Sequence, residues 1–289
     1  MSADEAPARG WTPSPRELER RSARARQTRR RVAAASVATV AVVGGLAAVV
    51  LLSPGWPRVR ESFFDGFHAR ESLPAIVDGF WINVKMFLIA EPLILVLGLA
   101  IALVRSSRSP WLVPLRGIGV VYTDVVRGVP TLLLVFLFAF GMPALDLQGI
   151  PSSSFFWATV ALVVSYSAYV AEVFRAGIDS VHPSQWLSSQ ALALSRGQTL
   201  RHVVVPQAVR RVVPPLLNDF VSLQKDTALV ASVSIFDALF TARDYANYNF
   251  NYTPYVVVAC FFVAMTVPLA RLCDWLAARI ARRERAGVL

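Results

Sequence analysis

Cysteine is nearly absent from this chain of 289 residues: only Cys260 and Cys273 occur, both in or beside one C-terminal apolar stretch. A disulfide framework and a cysteine-based metal site are excluded. Charge is scarce too. Asp, Glu, Lys and Arg make up 17% of the residues against 55% hydrophobic ones, a balance too apolar for a soluble enzyme of ordinary composition or for intrinsic disorder. Of 29 basic residues only Lys85 and Lys225 are not arginine. Gly-x-x-x-x-Gly-Lys, His-Glu-x-x-His, Gly-x-Ser-x-Gly and Cys-x-x-Cys are all missing, which removes the signatures of phosphate-loop, zinc-protease, serine-hydrolase and thiol-redox chemistry. The three histidines, His68, His182 and His202, fall in predicted loops or loop helices, so no metal site is expected.

What the chain does have is long apolar runs. Six lie at about 32–52, 79–104, 129–145, 155–174, 227–242 and 254–275, long enough or nearly so for a hydrocarbon core that takes roughly 20 helical residues. The third and fifth are short and adjoin polar groups, as suits helices packed inside a bundle. The fold class is therefore all-α, a polytopic membrane helical bundle with about six transmembrane helices. Arginine sets its orientation. The segments 53–78, 146–154 and 243–253 hold only Arg58, Arg60, Arg70 and Arg243, whereas 1–31, 105–128, 175–226 and the tail 276–289 carry nearly all the rest, and basic segments stay in the cytoplasm. Both termini are expected there. The first run is not a cleaved signal: its head is long, and Ser53-Pro54-Gly55 offers no small-x-small cleavage site. Residues 1–31 are expected to be a disordered basic tail touching anionic lipid headgroups. No folded recognition module accompanies that charge, so no nucleic-acid role is expected.

The inside segment from about 180 to 207 is more than a linker. Ser184 after Pro183 is a candidate N-cap for a first helix to about Leu194, and Ser195 with Gln198 forms a capping-box signature for a second, limited by Pro206. Trp186, Leu187, Leu192, Leu194, Leu200 and Val203 give it more apolar surface than a solvated loop carries. That surface packs against a partner, against the chain's own helix ends, or both.

This loop resembles the coupling loop, often called the EAA loop, of the permease subunits of ATP-binding-cassette (ABC) importers, in the polar amino-acid uptake branch. Four separated stretches agree in order: Tyr122-Thr-Asp-Val-Val-Arg-Gly-Val-Pro130, Ala171-Glu-Val-Phe-Arg-Ala-Gly177, Leu200 through Gln207 within the loop, and Asn218-Asp-Phe-Val-Ser-Leu-Gln-Lys-Asp-Thr-Ala-Leu-Val230. The resemblance runs from about Gly79 to the C-terminus and implies a type I importer permease core at 79–275, with 32–78 an additional first helix and extracellular loop. It also implies a coupling surface of Trp186, Leu187, Gln190, Ala191, Leu192, Ala193, Leu194, Ser195, Arg196, Gly197 and Leu200. Its implied partners are an ABC ATPase subunit dimer, a second permease subunit and an extracellular substrate-binding protein. ATP and Mg would sit on the ATPase, no cofactor would be bound by this chain, and the chain would not itself be an enzyme. The chain departs from the pattern in two places: Leu187-Ser188-Ser189 stand where the family shows Glu-Ala-Ala, and Ala193 stands where it shows glycine.

A passive channel or membrane scaffold accounts for the spans but not for this loop or the Arg-Gly-Val-Pro turn, and the hydropathy shows no inverted repeat of the kind on which secondary transporters are built. For the pathway, Glu91 before Pro92 lies mid-span, where a carboxylate is costly unless paired or wetted. Both a pathway role and a structural pair are open to it, while Lys85, six residues away, is expected to snorkel outward. Tyr166, Ser167 and Tyr169 offer hydroxyls to an amino acid's charged ends or pack between helices. Glu172, with Arg175 three residues on, is a latch or a gate. Asp226 and Thr227 suit a helix N-terminus.

Overall fold

The computed structural model describes residues 14–107, 109–146 and 148–285, and every regular element among them is a helix. The chain divides after Arg60 into two units. The first is dominated by α1, Pro15–Leu51, one unbroken helix of 37 residues. Its start is specified locally. The Ser14 hydroxyl accepts from the Glu17 amide at 3.3 Å, Pro15 occupies a first-turn position that needs no donor, and Glu17 meets the positive end of the helix dipole. Residues 15–31 are thus helical where disorder is expected, because Arg, Glu, Ala and Gln are all good helix formers. The expectation for residues 1–13 lies outside the described residues. Arg16, Arg20 and Arg24 stack at four-residue spacing, which opposes the helix by about 0.2–0.5 kcal/mol per pair. Glu17 offsets part of this by pairing with Arg21 at 3.1 Å. The stretch beyond Val32 is apolar, long enough to cross a membrane, and exposed along its length. A short helix, α2 (Trp56–Phe63), runs across the division.

The second unit begins with α3, Gly66–Ser106, capped by the Asp65 carboxylate, which accepts from the Phe67 amide at 2.7 Å. Ser72, Ile76, Gly79, Asn83, Met86, Ala90, Ile94, Gly98 and Ala102 are buried at three- and four-residue spacing, with Phe87 beside them, a single inward stripe. Val77, Trp81, Leu88 and Val96 face outward, as lipid-facing residues do. Lys85 is exposed and lies over the Trp81 ring at 5.8 Å. The stripe packs along α7, Ser154–Asp179, in a core that joins Met86 and Ile94 to Leu162, Val170, Leu223 and Val230.

Between them lie α4, Val113–Gly128, and α5, Thr131–Phe136, which continues through a π turn at Leu137–Gly141 into α6, Met142–Ala144. The pair is bent by 105° at the break between them. Val129 is extended because Pro130 follows it, so the Arg127-Gly-Val-Pro130 stretch is a corner. Among the described residues four helices are long and apolar enough to span a membrane, or five if this bent pair counts as one span, against the six runs read from hydropathy. The run at 227–242 is the one that differs. It holds a 3-10 stretch at Thr227–Val233, a left-handed Ser234, and then α11, Ala238–Asn249, whose N-cap Asp237 accepts from the Phe240 amide at 2.8 Å. Its composition is apolar, yet Ser234 stops one helix and Asp237 starts another.

Asp237 is completely buried. The Asn83 amide donates to its Oδ2 at 2.9 Å, and the Asn83 oxygen accepts from the Ala238 amide at 3.2 Å. One turn earlier, a Cβ on Gly79 would stand 2.6 Å from the Asp237 carbonyl carbon, so only glycine lets the two elements approach. The last helix, α12, Thr253–Arg285, is fastened at its start by the Tyr252 amide to the Ser62 carbonyl at 2.7 Å and the Asn251 amide group to the Glu61 carbonyl at 2.9 Å.

Candidate functional site

The loop between α7 and the next long helix contains two bent helices, as its sequence suggests, but their limits differ. The first is α8, Pro183–Ala191, capped not by Ser184 but by His182, whose Nδ1 accepts from the Ser184 amide at 3.2 Å. It stops short of Leu194 because Ala193 is left-handed, with φ 54°. The Leu194 amide then reaches back to the Ser189 carbonyl at 3.1 Å and the Ala193 amide to Gln190 at 2.9 Å, the paired closure of a Schellman motif. A Cβ in that region costs about 1–2 kcal/mol, a cost that glycine at this position would not meet. Ala193→Gly is expected to slow amide exchange at 192–194 by roughly tenfold, on the order of 1 kcal/mol of relieved strain. Unchanged exchange there would show that the turn is held by its neighbours instead.

The second helix, α9 (Arg196–Thr199), opens on the expected capping box. The Ser195 amide donates to Gln198 Oε1 at 2.8 Å, and the Gln198 amide donates to Ser195 Oγ at 3.3 Å. Pro206 does not end it. The chain stays helical through a π turn, Leu200–Val204, into α10, Val205–Asp226, where Pro206 takes a first-turn position. α9 and α10 therefore form one continuous rod.

The loop's apolar side chains divide between two directions. Trp186 turns inward against Val181, Val204 and Ala208. Leu187 and Leu192 point away, 65% and 75% exposed. Gln190, Ala191, Ala193, Ser195 and Gly197 are exposed with them and Leu194 is half-buried, while the side chains of Arg196 and Leu200 lie outside the described residues. The root of the loop is tight: a Cβ on Gly177 would overlap the Val212 side chain, and Arg211 donates to the Ser180 carbonyl.

Close to that root is an ion cluster of which the sequence displays only half. Glu172 Oε1 accepts from Arg175, and Glu172 Oε2 accepts from Arg105 Nη1 at 2.8 Å. Arg105 is the second-last residue of α3 and only 11% exposed. The other hydroxyl candidates are occupied within the bundle. Tyr166 donates to Asp226 Oδ2 at 2.8 Å, so Asp226 serves as an acceptor and makes no cap. Ser167 is buried against the Tyr122 hydroxyl at 2.7 Å. Tyr169, 38% exposed, reaches the Arg127 carbonyl at 3.4 Å, with the Arg127 guanidinium over its ring. Glu91 is half-buried. Arg105, Tyr122 and Asn83 escape a reading by sequence because their partners are 67, 45 and 154 residues away. For Asn83 there was one signal, an amide four residues after a glycine on the same face of an apolar helix.

Comparison with known proteins places this arrangement. The family model described as "Binding-protein-dependent transport system inner membrane component" matches residues 74–282. The chain is 32% identical over 207 residues to the probable glutamine ABC transporter permease protein GlnM of Bacillus subtilis (strain 168), covering 71% of this chain and 93% of the relative. It is 29% identical over 187 residues to the arginine transport system permease protein ArtQ of the same organism, covering 65% and 83%. The crystal structure of an amino acid ABC transporter with histidines is similar at 28% identity with a TM-score of 0.67, over 74% of this chain and 98% of that one. The fold, the exposed loop and these matches agree that the chain belongs to the inner-membrane permease subunits of binding-protein-dependent ABC importers, in their amino-acid uptake branch, a multi-pass membrane subunit that does not itself catalyse.

Proposed function

We propose that this chain, paired with a second permease subunit, forms the membrane pathway for a polar amino acid delivered by an extracellular binding protein. Two ATPase subunits, carrying ATP and Mg, drive it from the cytoplasm, where both termini lie. The observation that carries this reading is the outward placement of Leu187 and Leu192 on a loop whose other large side chain, Trp186, is already packed at home. Apolar side chains on a rigid cytoplasmic helix are suited to a groove on the ATPase. Closure of the ATPase pair would then push on α8, and the α9–α10 rod and the tight Gly177–Val212 contact would pass that push to α7 and the bundle. The result is alternating access by rigid-body motion. Glu91, Tyr166, Ser167, Tyr169 and Glu172 remain the pathway candidates, with Tyr169 the most open of the five and Tyr166 and Ser167 buried.

Leucine at position 187, in place of the family's acid, shifts the contact from polar to apolar. Burying one leucine contributes roughly 1.5–3 kcal/mol, more than the 0–1 kcal/mol of an exposed ion pair. Leu187→Ala is therefore expected to weaken ATPase association by roughly 10- to 100-fold, with membrane insertion intact and with little sensitivity to salt in the parent. The measurement is co-purification of the ATPase together with substrate-stimulated hydrolysis in reconstituted membranes. If neither changes, α8 does not dock and the reading fails. The substrate class is tested separately, by thermal-shift screening of the cognate binding protein: a sugar or metal ligand rejects it.

A further inference from the structure

The basic end of α1 is not used by the coupling scheme. We propose that it is a docking site for the anionic phospholipid headgroups of the cytoplasmic leaflet, formed by Arg24, Arg26, Arg29, Arg30 and Arg31. The proposal rests on the cytoplasmic placement of the N-terminus given above.

Geometry limits which arginines can take part. The apolar stretch from Val32 to Leu51 rises about 30 Å as helix, the thickness of the hydrocarbon core. It has no slack to slide, so Arg31 stands at the boundary. The helix has no break between Pro15 and Leu51, so the basic part leaves the membrane as a continuation of the same rod. On that rod Arg24 is about 10 Å beyond the boundary and Arg16 about 23 Å. The headgroup layer adds roughly 5–8 Å on each side, and surface charge is screened over about 8 Å more at physiological salt. Residues 24–31 fall within that reach and Arg16 falls outside it.

Charge is distributed to match. Residues 24–31 contain five arginines and no acid, whereas 16–21 contain Arg16, Arg20 and Arg21 together with Glu17 and Glu19, with Glu17 paired to Arg21 at 3.1 Å. The positive charge is thus concentrated in the half that can touch the bilayer and largely compensated in the half that cannot. A soluble polyanion would have no reason to favour the membrane-proximal half. Guanidinium also suits this role: its planar donors bind phosphate oxygens in pairs and shed water more readily than an ammonium does. The basic residues of this segment are all arginine.

The test uses the full chain in nanodiscs of phosphatidylcholine alone or mixed with phosphatidylglycerol, reading amide exchange across 15–31. Exchange should be at least severalfold slower with phosphatidylglycerol, and high salt should remove the difference. R24Q/R26Q/R31Q, which leaves Arg29 and Arg30 to support insertion, should weaken the lipid contact by on the order of a hundredfold and abolish the protection. R24K/R26K/R31K should retain most of it, and R16Q/R20Q should behave as the parent. Equal exchange in both lipids overturns the proposal, as does loss of protection in the distal variant, which would point to a soluble polyanionic partner. Orientation is checked apart from this, by labelling a cysteine placed at position 18 in sealed vesicles. Because discs expose both leaflets, a reversed terminus would fail that assay while leaving the exchange result intact.

Discussion

Gly79→Ala is expected to leave little folded protein. The new methyl group would stand 2.6 Å from the Asp237 carbonyl carbon and 2.7 Å from the Ala238 nitrogen, atoms of a backbone that cannot rotate aside. α3 and the start of α11 must therefore separate, and one turn further on that separation breaks the Asn83–Asp237 bond and the bond from the Ala238 amide. Overpacking alone costs about 1–3 kcal/mol, and leaving a buried carboxylate and amide poorly paired adds about 1–3 kcal/mol more. The sum is a large part of the roughly 5–15 kcal/mol by which a domain is stable. Gly117→Ala is the control, since nothing lies within 4 Å of a Cβ there. Thermal unfolding of detergent-solubilised protein, followed by size-exclusion chromatography, should show a clear loss for the first and almost none for the second. Equal behaviour of the two would mean that the α3–α11 contact yields more easily than its geometry indicates.

Glu172→Ala is expected to abolish most uptake by a different route. This carboxylate holds Arg105 of α3 and Arg175 of its own helix. Without it, Arg105, whose side chain is 11% exposed, keeps its charge and loses its counter-charge. Truncating one member of a hydrogen-bonded, largely desolvated pair costs about 2–5 kcal/mol. Glu172 is itself 24% exposed, so the lower part of that range, about 2–3 kcal/mol, is appropriate after screening. The cluster joins the ends of α3 and α7 nearest the coupling loop, so the loss should fall on transmission: ATP hydrolysis by the reconstituted complex continues while substrate uptake drops at least tenfold. Glu172→Gln, which keeps hydrogen-bonding capacity without charge, should lie between. If Arg105→Ala combined with Glu172→Ala is no better than the sum of the single changes, the two residues do not act as a pair.

What could be read from the sequence was what depends on near neighbours. The Ser195–Gln198 capping box involves residues three apart and is present as written. Pro206 misleads because a proline directly after a π turn need not end a helix: the regular ladder is already interrupted at Leu200–Val204, and the rod continues past it. At 227–242 hydropathy measured composition and was blind to Ser234 and Asp237, which turn an apolar run into two short pieces. The direction of Trp186 could not be decided from α8 alone, since the Val204 and Ala208 surface that receives it is some twenty residues further along. Ala193 is the reverse case. The departure from glycine was visible in the sequence, and its physical meaning, a left-handed residue closing α8, required the backbone.

The π turn at Leu200–Val204 also uncouples chain length from angular phase. A π turn accommodates one residue more than an α turn in the same place, so the faces of α9 and α10 keep their alignment although the apolar pattern slips by one position across 200–204. A single deletion inside that turn can be absorbed by its closing to an ordinary α turn. The same deletion a few residues later, between Val209 and Val213, has no such slack and would rotate everything beyond it by about 100°, carrying Gln224 and Asp226 off the bundle-facing side. Length variation among relatives should therefore be found at the wide turn and be absent from the regular helix that follows it.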